Sequence, residues 1–299
     1  MNIFGSVAHF FTRIQRFKAF RMFQFLGGFV THRLMVTIQE NAEMQNLLTS
    51  DKLMYGCLDT WLIHKLTKGA VHVTEPSNSS TTGLYDPYMM NWGHMLLRII
   101  SFPVSLLPKL TFSAGVPLAT CHNEIFGFPL KIGSMAGDQQ AALFGSGGWH
   151  KGDVNICIGT GAFLDLNTGQ HPIASLNGLY PVLAWRFPHH YNFAAEGSSF
   201  ETGSLVKWAQ SIGLFDDIAQ LPNITSKVSR TDLCFVPAFS GLQTPINDTT
   251  ACCAFLGLRP NTTKEHMLIA LLDSIAFRIY QIWNTLTDEI DFEVNNVIK

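Results

Sequence analysis

Ala136-Gly137-Asp138-Gln139-Gln140-Ala141-Ala142-Leu143-Phe144-Gly145 sets one carboxylate between a glycine turn and a run of small residues that reads as a helix. An aspartate at such a junction has two uses. It can cap the helix by accepting free N–H groups of the first turn. It can also serve as a general base, orienting a hydroxyl and taking its proton, as a positioned Asp does in kinases. Just upstream, Phe126 to Ile132 leads into a strand that feeds this turn.

Downstream, Val154-Asn155-Ile156-Cys157-Ile158, then Gly159-Thr160-Gly161, then Ala162-Phe163-Leu164-Asp165-Leu166 reads as strand, glycine turn, strand, ended by Asn167-Thr168-Gly169. Glycines let backbone amides approach an anion and a threonine hydroxyl adds a donor, so this turn is either a phosphate cradle or a plain hairpin. Tyr180 to Ala195 supplies at least one more strand. Ser198-x-x-Glu201 predicts a capping box opening a helix through Leu205, Trp208 and Ala209, and Thr262-x-x-Glu265 predicts another opening the longest helix. In that helix Leu268, Leu272, Ile275, Ile279, Ile282 and Leu286 alternate by four and three, one buried face.

Before the Asp138 turn, Asp59 is placed to cap a helix over residues 60–66 closed by Gly69. Val71 to Thr74 alternates as a strand, Pro76-Ser77-Asn78-Ser79-Ser80 reads as a polar loop, and Trp92 to Ile100 as a helix stopped near Pro103. The last residues, Val294 to Lys299, read as strand.

With 299 residues, 47% of them hydrophobic and 14% charged, the chain can bury a substantial core. A net charge of −2 argues against nucleic acid or an anionic membrane as the main partner. Six scattered cysteines without a C-x-x-C spacing read as reduced thiols, which implies a cytoplasmic setting. The first 39 residues hold five Lys/Arg and no acid, with Phe10, Ile14, Phe17 and Phe20 at helical spacing. They fit a helix docked on its own domain, a mitochondrial presequence or a membrane-surface helix. No window reaches the ~18 uncharged apolar residues of a membrane span. His189-His190 lacks the further ligands of a metal site, and there is neither a Walker nor a Rossmann glycine motif.

Several blocks taken together resemble one family. Tyr55 through Gly69, with Val73-Thr74 and Ser77-Asn78-Ser79-Ser80, resembles the G-T-x-D-T-W-L-x-x-K-L-T-x-G segment of glycerol kinases. Ala136 to Gly145 is similar to their A-G-D-Q-Q-A-A-L-F-G, and Gly159 to Phe163 with Asn167-Thr168-Gly169 to their G-T-G-x-F and N-T-G. Val236-Pro237-Ala238-Phe239-Ser240-Gly241-Leu242 follows in order, and Phe255 to Ala276 resembles the second signature pattern of the FGGY sugar kinases.

The resemblance implies an α/β, actin-like or ribonuclease-H-like ATPase fold in two domains, both incomplete. Residues 1–146 would be the later part of the substrate domain and 147–299 an incomplete nucleotide domain. It implies ATP with Mg2+ as donor and a small polyol such as glycerol as acceptor, and it leaves a homo-oligomer open. Asp138 would be the base, with Gln139 and Phe163 at the acceptor; Gly159, Thr160, Gly161, Gly203 and Lys207 would lie at the phosphates or nucleotide. Lys207 stands where glycerol kinases usually have Gln, and Cys252-Cys253 replaces Arg-Gly. The family's D-x-G-T-T-S, N-Q-R-E and D-G-G segments are absent. Phosphoryl transfer depends on the positioning such segments supply, so the expectation is a chain with little activity alone. The alternative from another class is a non-catalytic pseudokinase or regulatory fragment.

Overall fold

The computed structural model describes residues 30–229 and 231–298. The expected basic helix around Phe10 to Phe20 lies outside them.

The elements run in order α1 (Val30–Glu40), α2 (Ala42–Thr49), α3 (Leu58–Leu66), β1 (Val73–Thr74), α4 (Pro76–Ser80), β2 (Tyr85–Asp86), β3 (Asn91–Trp92) and α5 (His94–Ile99). They continue with β4 (Lys109–Leu110), β5 (Ala119–Thr120), α6 (Asn123–Phe126), β6 (Lys131–Ile132) and α7 (Asp138–Gly145). Next come β7 (Val154–Ile158), β8 (Ala162–Gly169), β9 (Tyr180–Arg186), β10 (Tyr191–Ser199) and α8 (Gly203–Ser211). The chain ends with α9 (Leu221–Lys227), β11 (Cys234–Val236), β12 (Ala254–Leu256), α10 (Lys264–Glu289) and β13 (Val297–Ile298).

Two compact units result. The first holds the described residues through Gly145 together with Asn167–Ala174 and Pro181–Ala194, and the second holds Ser146–Leu166, Ser175–Tyr180 and the described residues from Ala195. In the first, Leu84, Tyr85, Trp92, Leu97 and Phe102 form a buried cluster. Tyr85 and Trp92 meet edge to face at 6.3 Å, and the Trp92 indole N–H donates to the Pro108 carbonyl.

The main sheet has the order β13-β7-β8-β10-β9. The β7–β8 hairpin is antiparallel, with Ile158 opposite Ala162 and Cys157 opposite Phe163, while β13 pairs parallel with β7. Period-two alternation sends Leu164 and Leu166 into a cluster with Val154, Ile282 and Leu286. Nearer the start of α10, Leu268 and Leu271 pack with Leu205, Ala209 and Phe235. One helix thus serves two cores, which its 26 residues, about 39 Å at helical rise, allow.

Five local expectations change. Residues 76–80 are a short helix capped by Glu75, because Pro76 supplies a helical φ and the Glu75 carboxylate accepts the first-turn amides. Asp59 sits inside the first turn of α3, with Cys57 at the cap, and accepts hydroxyls from Thr60 and Thr74 instead. Ser198 belongs to β10, and α8 begins after Thr202. The capping box of α10 is Thr263 with His266, one residue later than Thr262 and Glu265 predict. Its buried face also differs: Leu272, Ile275 and Ile279 are only partly buried, and the face passes through Ser274 and Arg278. Among the described residues, no helix is long and apolar enough to cross a membrane.

Candidate functional site

In the first unit the Asp138 turn is built from glycine and hydroxyls. The Ala141 N–H donates to the Gly137 carbonyl at 2.8 Å, the first helical bond of α7. Gly137 therefore occupies the cap position, and Asp138 is the first helical residue. The Asp138 side chain is exposed, and its Oδ1 accepts the N–H of Gln139 at 2.9 Å. Gln139 is half-buried and Gln140 buried. A Cβ on Gly137 would lie 2.3 Å from the Gln140 Oε1, so a side chain there displaces the glutamine.

The Gly137 N–H donates to the Ser77 hydroxyl at 2.7 Å, across 60 residues of sequence. Behind Ser77 stands Glu75, wholly buried. Burial pushes its carboxyl above the ordinary range, and hydrogen bonds from Ser113, Ser77 and Asn78 oppose that rise. Neither Glu75 nor Ser113 was singled out from sequence. The available signal was an acid directly before Pro76, the pattern of a helix start.

In the second unit, Gly159, Thr160, Gly161 and Gly203 come together. The Gly203 N–H donates to the Gly159 carbonyl at 3.0 Å, and the N–H groups of Thr202 and Ser204 donate to the Thr160 carbonyl. The Thr202 hydroxyl donates to both carbonyls, at 3.0 and 3.1 Å. A Cβ on Gly161 would sit 2.7 Å from the Ser199 carbonyl oxygen, and one on Gly203 would sit 2.5 Å from that of Gly159. Only glycine permits this approach. Thr160 is exposed, with its carbonyl tied to the start of α8. Lys207, exposed, lies one turn beyond Gly203 on the same helix face. Phe163 is half-buried on β8, on the face opposite Leu164. Asp138 and Gln139 thus belong to one unit and the other candidates to the second.

Glu201 does not cap α8. It is buried and accepts the Ser240 N–H at 2.9 Å. His189 and His190 are exposed in a loop. Among the described residues no group of three or more His, Cys, Asp or Glu is arranged to hold a metal ion.

The N-terminal domain model of the FGGY family of carbohydrate kinases matches residues 29–145, and the C-terminal domain model of that family matches 154–298. Glycerol kinase 5 of Bos taurus is 41% identical over 292 residues, spanning 97% of this chain and 55% of that protein. Glycerol kinase of Staphylococcus haemolyticus is 38% identical over 247 residues, 82% of this chain and 50% of that one. The chain spans about half the length of the curated relatives it matches. Among solved structures, Plasmodium falciparum glycerol kinase with ADP superposes with a TM-score of 0.78 at 29% identity, covering 89% of this chain and 55% of that one. A ligand-bound xylulose kinase from Lactobacillus acidophilus gives 0.72 at 20% identity, covering 90% and 54%, a likeness of fold alone. The two domain models in order, the actin-like α/β fold and the glycerol-kinase relatives agree: this chain belongs to the FGGY family of carbohydrate kinases.

Proposed function

We propose that the chain carries part of the active site of a kinase that transfers the γ-phosphoryl group of ATP to a primary hydroxyl of glycerol or a related polyol. Asp138 takes the proton of that hydroxyl as its oxygen bonds to phosphorus and ADP leaves, so a phosphate monoester, ADP and a proton are formed. Gln139 and Phe163 flank the acceptor. Thr160 meets the transferred phosphate between Gly159 and Gly161, with Gly203 and Lys207 toward the nucleotide. The base Asp138 and Gln139 fall in residues 1–146, and Phe163, the glycine turn, Gly203 and Lys207 in 147–299. Mg2+ would accompany the ATP phosphates and neutralise part of their charge. Six unpaired cysteines suit a reducing, cytoplasmic setting.

The observation that carries this reading is the place of Asp138. With Gly137 at the cap, its carboxylate is exposed, and among the described residues the N–H it accepts is that of the adjacent Gln139. The test is calorimetric titration of the chain with Mg-ATP, with and without glycerol, beside a coupled turnover assay and the Asp138→Asn variant. Expected are saturable Mg-ATP binding in both proteins and, from the low turnover expected of this chain alone, a further fall of about 10²- to 10⁴-fold in the variant. Equal turnover in the variant, or a folded chain that binds no nucleotide, overturns the reading.

A further inference from the structure

The buried carboxylate of Glu75 lies at the centre of a network that ends on the Asp138 turn. Its Oε2 accepts the N–H groups of Ser77 and Asn78 at 2.8 and 3.2 Å, and the Ser77 hydroxyl as well. Its Oε1 accepts the hydroxyl of Ser113, 38 residues away. Both serines are buried, and both reach the segment that leads into α7. The Ser77 hydroxyl accepts the Gly137 N–H at 2.7 Å. The Ser113 carbonyl accepts the Met135 N–H at 2.9 Å. Ser113 is itself fixed to the end of β9: its N–H donates to the Arg186 carbonyl at 2.7 Å, and its hydroxyl accepts the Arg186 N–H at 2.8 Å. The two alternate amides immediately before Asp138 are therefore gripped by two residues, each held by one oxygen of a single carboxylate.

Capping alone does not explain this arrangement. A cap for the five residues of α4 needs one oxygen, and Ser, Thr or Asn provides it without burying a charge. A carboxylate taken out of water costs several kcal/mol unless its acceptor positions are filled. Here the second oxygen is turned away from α4 toward Ser113. We propose that Glu75 is a positioning residue for Asp138: through Ser77 and Ser113 it fixes the backbone of residues 135–137, and so the direction in which the Asp138 carboxylate leaves the head of α7. The inference rests on Asp138 being the base proposed above. Displacements of 1 Å at a reacting group cost on the order of 10² in rate, so such a clamp has kinetic consequences.

The variants are Ser77→Ala, which removes only the hydroxyl between Glu75 and Gly137, Ser77→Thr, which restores it, and Glu75→Gln. Amide hydrogen exchange across residues 133–145 is read together with kcat, the Kd of Mg-ATP and the melting midpoint. In Ser77→Ala the Gly137 amide is expected to exchange roughly fivefold to tenfold faster, the loss of one hydrogen bond. Its kcat should fall with the Mg-ATP Kd unchanged, and Ser77→Thr should recover both exchange and kcat. Glu75→Gln, keeping one acceptor oxygen, should fall between. A Ser77→Ala chain with a lower melting midpoint but unaltered Gly137 exchange and unaltered kcat overturns the inference, as does acceleration spread evenly over all amides. If Asp138→Asn leaves turnover intact, the kinase reading fails by itself. The Gly137 exchange then still decides whether Glu75 holds this segment.

Discussion

At Gly203 the local structure depends on a missing side chain, since a Cβ would press on the Gly159 carbonyl and no flexible group is there to yield. Gly203→Ala should cost on the order of 1–3 kcal/mol, the usual range for overpacking, and weaken Mg-ATP binding. Thermal melts and titration check this, and an unchanged midpoint contradicts it. Glu75 gives a pH prediction. Burial raises its carboxyl pKa in the folded chain, so the native state holds more protons than the unfolded chain above the ordinary carboxylate value. Its contribution is fully present below about pH 4.3 and is lost as pH rises through the folded value. Tyr85, whose hydroxyl is pushed up chiefly by burial and also feels Arg186, Glu75 and Asp86, ionises only at far higher pH. Melts in steps upward from pH 4.3 should therefore show a decline in the native chain that Glu75→Gln lacks. Asp138, Thr160 and the glycines stand out as candidates in the sequence because a charge or a glycine beside a turn is a local signal. Glu75 could not, because nothing within a few residues of an acid announces that it will be buried.

Among the elements, α7 and the β7–β8 hairpin were legible because turn chemistry and period-two alternation fall inside one short window. The five polar residues of α4 were not, since their helix follows from one cap and one proline rather than from periodicity. The same limit applies to α10. Its four-three spacing identified the helix, but which side is buried is decided by tertiary packing: Ser274 and Arg278 are both buried, and Arg278 donates to the Thr244 carbonyl. A pair of substitutions tests that face. Leu271 is 0% exposed and was not on the predicted stripe, whereas Phe277 is 62% exposed. Leu271→Ala should cost about 2–5 kcal/mol and Phe277→Ala about 0.5 kcal/mol or less, by denaturant melts. Comparable losses would mean that the helix is rotated from the orientation described.

For the whole molecule, the family motifs carried the fold class, because they fix the order of strand, turn and helix over residues 55–276. The division into units was less legible: strands β8, β9 and β10 each contribute residues to both, a non-local arrangement that no sequence window reveals. The six cysteines give a test that samples the molecule at several depths. All are unpaired; Cys234 and Cys252 are exposed, and Cys121 is 3% exposed. Burial also pushes the thiols of Cys57 and Cys253 upward. A thiol reagent at neutral pH should thus label Cys234 and Cys252 first and Cys121 only on unfolding, with all six labelled in denaturant. Fast labelling of Cys121 would count against the packing of the first unit.

The bonds that fasten the Gly159–Gly161 turn to the head of α8 have a consequence for observation. Trp208, on that helix, stacks on Phe235 at 6.0 Å and meets Phe239 at 5.0 Å. On the nucleotide role proposed above for this turn, a ligand seated there is expected to change the fluorescence of an indole set between two rings on the same helix, an optical gauge built into the chain.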